Sequence, residues 1–406
     1  MSNTLLTDTK ITRRALAVLV NDLTFTPRCV RKYDDMYGLE GAKIGTTLNI
    51  RKPPRYVGRV GQGLSLEDAT ETIVPLVLTT QRGVDIAFTS QDLTLSIDDF
   101  TERFLQPGLA NVANGIDFDG LNQFLNVYNE IGTPGTVPNS ALTYLQAGGR
   151  LDDEAAPRDG NRYVVISPTM QATIVNALSG LFNPQMKISD QYNKGEMSSN
   201  TLGFGWYMDQ NVRTQVVGPQ GGAPTVTGAN QTGNSILTGG WTISGLRLNR
   251  GDIVTFAGSF AVNPQNKQST GVLRQFVVGA NVTSDGAGAA TIPISGPGGL
   301  GIVTSGPFQT VTASPTAGGA VTVQGTGGTS SPRGLAFNKI AFAFASADLL
   351  LPGGVDFAKR AASKDLGVSI RLVRAYDINT DRFPCRSDVL YGFCTQYPEC
   401  ACRIAS

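Results

Sequence analysis

The sequence predicts an α+β protein with a separate β-rich block set into it, on three observations. An apolar stripe at helical spacing runs from Ile97 to Tyr128, alternating strand patterns lie both before it and near the C-terminus, and a glycine-rich, charge-poor stretch occupies residues 215–335. Residues 4–20 open the chain, with Leu5, Ile11, Ala15, Leu16, Val18 and Leu19 at roughly helical intervals, and read as an amphipathic arm with no evident intrachain partner. From Lys43 the composition turns to Thr, Val, Ile and Gly, which is strand and hairpin chemistry. Its apolar content between Ile50 and Leu64 is too thin to bury a sheet, so a hairpin projecting from the body is expected.

Ser96 followed by Asp98 and Asp99 is a helix start, because the serine hydroxyl accepts first-turn amides and the acids suit the positive end of the helix dipole. A helix of about thirty residues is expected from there, bent at Pro107 and weakened by Gly108 and Gly115. Tyr163–Ile166 reads as a short buried strand, with Ser167 as the N-cap and Pro168 as the first residue of the next helix. Residues 215–335 carry 25 of the 48 glycines but only Asp252 and Asp285 as acids, and their recurring Val, Ile, Leu and Phe predict a small β-barrel with long loops. After Gly334, Ala336–Phe344 and Val368–Ile378 each read as a strand.

Composition narrows the chemistry. The 406 residues hold 33 Lys plus Arg and 32 Asp plus Glu, a net charge of +1, so no global field draws the chain to nucleic acid or membrane. No 18-residue apolar run predicts a membrane span, and the N-terminal stretch lacks a cleavage site, so a cytoplasmic chain is expected. With no histidine, imidazole catalysis and imidazole metal ligation are excluded. Cys385, Cys394, Cys400 and Cys402 crowd the C-terminus at spacings of no zinc ribbon or knuckle, so thiols without metal are expected. The carboxylate pairs Asp34/Asp35, Asp98/Asp99 and Asp152/Asp153 sit beside turns or helix starts, where capping accounts for them better than acid–base work. Gly-Pro-Gly-Gly-Leu-Gly lacks a following Lys-Ser/Thr and reads as turns, leaving no catalytic or cofactor site. Basic residues cluster at Arg28, Arg31 and Lys32, and at Arg51, Lys52, Arg55 and Arg59 along the hairpin. In an assembly of copies, the hairpin set would complement Asp98, Asp99 and Glu102 of a neighbour.

The run D-D-M-Y-G at 34–38, K-I-G-T-T-L-N-I-R-K-P at 43–53, V-D-I-A-F-T-S-Q-D-L-T-L-S-I-D-D-F-T-E-R-F-L-Q-P at 84–107 and G-V-S-I-R-L-V-R-A-Y-D at 367–377 resembles the major coat proteins of short-tailed phages of the Lederbergvirus type. The resemblance implies the capsid fold shared by tailed phages and herpesviruses, the Johnson fold. It implies an N-terminal arm over 1–42, an extended loop over 43–82, a peripheral domain with its spine helix over 83–134 and an axial domain over 135–214. An inserted β-barrel-like domain would follow over 215–335 and a return to the axial and peripheral domains over 336–406. It further implies a major capsid protein that forms pentamers and hexamers of an icosahedral virion shell, assembled in the bacterial cytoplasm with a scaffolding protein and a portal. The shell would mature from a procapsid as double-stranded DNA is packaged. No cofactor, metal, membrane contact or catalytic activity is implied, and a non-covalent shell is expected. Contact with packaged DNA should be weak, with Arg13 and Arg14 of the arm as the inward-facing patch or as a scaffold contact. The alternative from another class is a virion or cell-surface module that binds glycans through the Gly-rich block.

Overall fold

In a computed structural model the described residues are 12–13, 15–17, 19, 23–31, 47–59, 61–64, 66–89, 106–178, 197, 201–294, 300–363 and 367–406. They form two compact units: residues 1–50, 75–120 and 343–394 make the first, and residues 51–74, 121–342 and 395–406 the second. The mixed α+β class expected from the sequence is what the elements form.

The first unit is built on a five-stranded sheet in the order Phe342–Ala347, Arg382–Thr395, Ser369–Arg374 and Phe357–Ala362, with Thr80–Thr89 also pairing antiparallel to Arg382–Thr395. Helix α1 (Gln106–Leu121) belongs to this unit almost entirely. The start expected at Ser96 lies outside the described residues, and Pro107, where the bend is expected, is the second residue of this helix. At its other end the helix tightens into a 3-10 turn, Asn122–Asn126, and the backbone becomes extended at Val127, so the stripe through Phe124 and Tyr128 outlasts the α-helix. The glycines of α1 are sites of close approach. A Cβ at Gly120 would lie 2.7 Å from the Phe25 ring and 2.9 Å from that of Phe393. Those rings join Phe344 and Tyr391 in an aromatic cluster, with Phe344 and Phe393 centroids 4.9 Å apart. The arm does have an intrachain partner: Thr12, Ala15 and Leu19, at helical spacing, are buried.

The second unit carries a six-stranded sheet in the order Glu130–Ile131, Ala401–Ala405, Ser330–Asn338, Arg162–Ile166 and Gly205–Met208, with Thr214–Val216 pairing the start of Ser330–Asn338. Arg162–Ile166 leads into helix α3 (Pro168–Ala177), whose N-cap Ser167 accepts the Met170 amide at 3.3 Å, as the sequence predicts. Ahead of both in the chain, helix α2 (Ala141–Asp153) starts on Ser140, which accepts the Leu142 amide, and packs on the terminal strand. The stretch Ala336–Phe344, read as one strand, is two. Asn338 leaves its strand, accepts the Ile340 amide at 3.1 Å and caps a 3-10 turn, Lys339–Ala341, after which Phe342–Ala347 enters the other sheet.

Residues 222–323 form three small antiparallel sheets: Ala290–Pro293, Ser235–Trp241 and Gly222–Val226; Ser269–Val277, Ile253–Val262 and Val321–Val323; and the pair Gly245–Leu248 with Val282–Ser284. A bridge between Thr225 and Ala320 links the first two, giving a barrel-like body. Its core holds Val226, Ile236, Trp241, Phe256, Phe276 and Ile292, among others, all buried. The buried Trp241 indole donates to Thr238 Oγ1 at 2.9 Å, and that hydroxyl donates to the Ala290 carbonyl at 2.7 Å. At Gly222, with φ +85°, a side chain would collide with the Gly240 carbonyl, so strand crossing there requires glycine.

Candidate assembly surfaces

The feature that a single chain explains least is the loop between Lys52 and Thr72. Strands Thr47–Lys52 and Thr72–Val77 pair with each other, and the described residues between them form no strand. The loop is nonetheless shaped. The Glu67 carboxylate accepts the Val57 and Gly58 amides, both at 2.7 Å, tying the outgoing limb to the returning one. Leu64 and Leu66 stand beside that tie 83% and 86% exposed, which no core of their own relieves.

At the root, Pro53 and Pro54 stiffen the exit and Arg55 Nη2 meets Glu399 Oε1 at 2.5 Å. The Arg55 guanidinium also lies 5.9 Å from the centroid of Phe308, and Lys52 Nζ lies 4.9 Å from that of Tyr397. A cavity of about 480 Å³ opens here, lined by the root, by Tyr128, Glu154 and Arg274, and by residues 300–310. Along its wall Arg274 and Glu154 form a buried ion pair at 2.5 Å, with the guanidinium 4.6 Å from the Tyr128 centroid. Lys267, beside it, donates to the carbonyls of Pro264 (2.7 Å) and Pro307 (2.6 Å), and burial followed by the neighbouring Arg55 charge holds its pKa below the usual lysine range.

Of the basic residues singled out in the loop, Arg51 is 77% exposed with Glu71 at 3.8 Å, Lys52 lies over Tyr397, Arg55 is engaged by Glu399, and Arg59 donates to the Gly61 carbonyl. Asp98, Asp99 and Glu102 lie outside the described residues, as do Arg14, Lys32, Asp34 and Asp35. Arg13 is exposed and lines a cleft of about 270 Å³ together with Lys359 and Arg360, the latter paired to Asp348 at 3.2 Å. Asp152 is committed to Arg158 and to Arg162 (2.8 Å), and its hydrogen bond with Arg158 leads in holding its pKa below the usual carboxylate range. No disulfide joins the five cysteines. Burial pushes the Cys400 thiol well up and that of Cys402 to about 12, which keeps both protonated rather than as metal-binding thiolates.

Asp117 and Arg403 are among the buried charges that no local motif in the sequence marks. Asp117, on the apolar stripe of α1, accepts the amides of Thr24, Phe25 (3.0 Å) and Thr26 (3.0 Å) and the Thr26 hydroxyl (2.6 Å). It thereby fastens the end of the arm, although burial, the largest influence, pushes its pKa up. A carboxylate directly after Ile116, a residue of the buried stripe, was the available signal. Arg403, fully buried in the terminal strand, donates to the carbonyl of Gly251 at 2.7 Å and to Gln215 Oε1 at 3.1 Å. Arg403 and Arg333 each approach the same Glu130 oxygen, at 3.3 and 3.4 Å, but neither Nε makes a well-aligned hydrogen bond. Burial lowers the Arg403 pKa to about 10.

Residues 35–403 match the family model described as P22 coat protein, gene protein 5. A match over most of the chain defines a structural protein of a phage shell. The chain belongs to the P22 coat protein family: it is a major capsid protein of the tailed double-stranded DNA phage class, with that class's capsid fold and an inserted β-barrel-like body. It assembles with copies of itself into the virion's icosahedral shell, and the glycan-binding alternative is not supported. No curated protein matches the sequence. Among solved structures, the chain is similar to one from Mycobacterium phage Che8 (12% identity, 95% of this chain and 92% of that one, TM-score 0.46). It is also similar to the capsid of cyanophage P-SCSP1u (11% identity, 93% and 88%, TM-score 0.44) and that of Ralstonia phage GP4 (8%, 93% and 86%, TM-score 0.42). No helix among the described residues is long and apolar enough to cross a membrane.

Proposed function

We propose that the extended loop over 43–82 is the clamp that joins neighbouring subunits within the pentamers and hexamers of this shell. Exposure of Leu64 and Leu66 on a shaped loop carries this reading, because a contact made only in the assembly would cover them. Arg51 and Arg59 are the loop charges best placed to meet Asp98, Asp99 and Glu102 of a neighbour, while Lys52 and Arg55 hold the root to its own chain. Charge reversal at Arg51 and Arg59 together should depress assembly, and unchanged assembly would remove that contact.

In this reading the chain works without catalysis. It assembles in the host cytoplasm with a scaffolding protein and a portal, and the procapsid matures as DNA enters. The arm, the peripheral domain (83–134), the axial domain (135–214), the insertion (215–335) and the return segment (336–406) divide the labour as the family resemblance implies. The cationic cleft of Arg13, Lys359 and Arg360 supports an inward contact with DNA phosphates or an acidic scaffold segment, with Arg14 alongside in sequence. Expression with and without the cognate scaffolding protein, followed by sucrose sedimentation and negative-stain microscopy, tests the whole reading. Closed shells of uniform diameter are expected, and a monomer that persists with scaffold at high concentration would overturn it.

A further inference from the structure

We infer that the cavity at the root of the extended loop is the receptor for the loop tip of a second copy of this chain. The inference rests on the clamp reading above and adds where the clamp lands. At the tip, Leu64 and Leu66, both almost fully exposed, sit with Asp68, which is exposed, and Glu67, which is occupied by its own loop amides. The tip's chemistry is apolar with a negative edge. The cavity is its complement. Ile73, Val74, Val262, Leu300, Val303 and Phe308 supply apolar wall, and about 480 Å³ is ample for two leucine side chains. Its border is cationic on balance: Lys52, Arg55 and Arg274 line it against Glu399 and Glu154, which pair with the two arginines, and Lys267 adjoins it with only carbonyl partners among the described residues. Lys267 is a positive charge kept in a costly, partly buried position with no carboxylate partner among the described residues, and an arriving Asp68 would supply one.

Tip and receptor are different surfaces of one chain, so the contact is heterologous, head to tail. That geometry closes into rings, which a pentamer and a hexamer require and a two-fold contact does not provide. Because the tie through Glu67 presets the tip, little loop ordering opposes docking.

The experiment co-assembles two single variants, Leu66→Cys and Gln309→Cys, the second on the cavity wall, under mild oxidation with scaffold present. Disulfide-linked dimers that appear in shells only when both variants are mixed, and not with either alone, are expected. Regular shells without that crosslink would overturn the receptor assignment while leaving the shell reading standing. Absence of shells from the unmodified chain would instead sink the shell reading and this inference with it. Should the cysteine variants not assemble, the charge swap decides: Asp68→Lys and Lys267→Glu should each lower shell yield about tenfold and together restore it. Additive losses without rescue would overturn the inference.

Discussion

The extended loop and the glycine-rich body at 222–323 are both β-derived and rich in turns, yet they solve opposite problems. The body closes its small sheets around Ile236, Trp241, Phe256, Phe276 and Ile292, so its apolar residues are spent inside. The loop points Leu64 and Leu66 outward and keeps its shape by one carboxylate tie and one root pair. The difference teaches which region can stand alone: burial makes the body a self-supporting part of each subunit, whereas on the clamp reading the loop is complete only beside another copy. Substitutions should therefore act on folding in one region and on assembly in the other.

The largest effect is expected from Phe256→Ala. Emptying a fully buried aromatic site in the body should cost about 3–5 kcal/mol, read as a lowered denaturant midpoint with loss of protection in strand Ile253–Val262. A midpoint unchanged by this substitution would break the comparison at its stronger end. Next comes Arg274→Ala. It leaves the Glu154 carboxyl buried without its partner, and removing one member of such a pair costs about 3–5 kcal/mol, so the expected loss overlaps that of Phe256. Arg274→Ala combined with Glu154→Gln should recover much of that loss, which a purely steric role for the arginine would not allow.

How far the sequence foretold this contrast depends on the range of the interactions concerned. Tyr163–Ile166 with Ser167 and Pro168 was legible because strand, cap and helix start are specified by neighbours. Alternation and recurring Val, Ile and Phe were enough to assign the body as barrel-like rather than disordered. The clasp of Arg55 on Glu399 was not legible, since 344 residues separate its partners and nothing local distinguishes Glu399 from a solvated acid. The break at Lys339–Ala341 was hidden for another reason: alternation of Ala336–Phe344 suits a strand on either side, and only the Asn338 cap decides that two sheets share it. The arm shows the converse error, in which a helical stripe without visible partners is buried after all at Thr12, Ala15 and Leu19.

A smaller thermodynamic effect with a clear kinetic reading is expected at the root. Arg55→Ala or Glu399→Gln removes a pair whose arginine is 34% exposed, worth about 0–1 kcal/mol after screening by solvent. The melting curve should barely move. Limited proteolysis within residues 53–71 should nonetheless accelerate several-fold, because the root then loses the contact that sets the loop's direction, and the swapped pair Arg55→Glu with Glu399→Arg should slow it again. Cleavage of all three variants at the rate of the unaltered chain would show that the prolines alone fix the root.

The smallest effect on folding is expected at the tip, and it carries the most information. Leu64→Ser with Leu66→Ser removes apolar surface that is already in water, so stability should stay within about 0.5 kcal/mol of the unaltered chain. Solubility of the unassembled subunit should rise as the exposed patch is lost. Assembly should fail or give aberrant particles, because each subunit of a closed shell repeats the same lost contact and small deficits multiply over the lattice. A double variant that folds, stays soluble and still closes regular shells would show that the leucines serve no contact. In that event the loop's function would rest on its charges alone, and shell formation should then fall steeply with added salt while the body's melting point stays fixed.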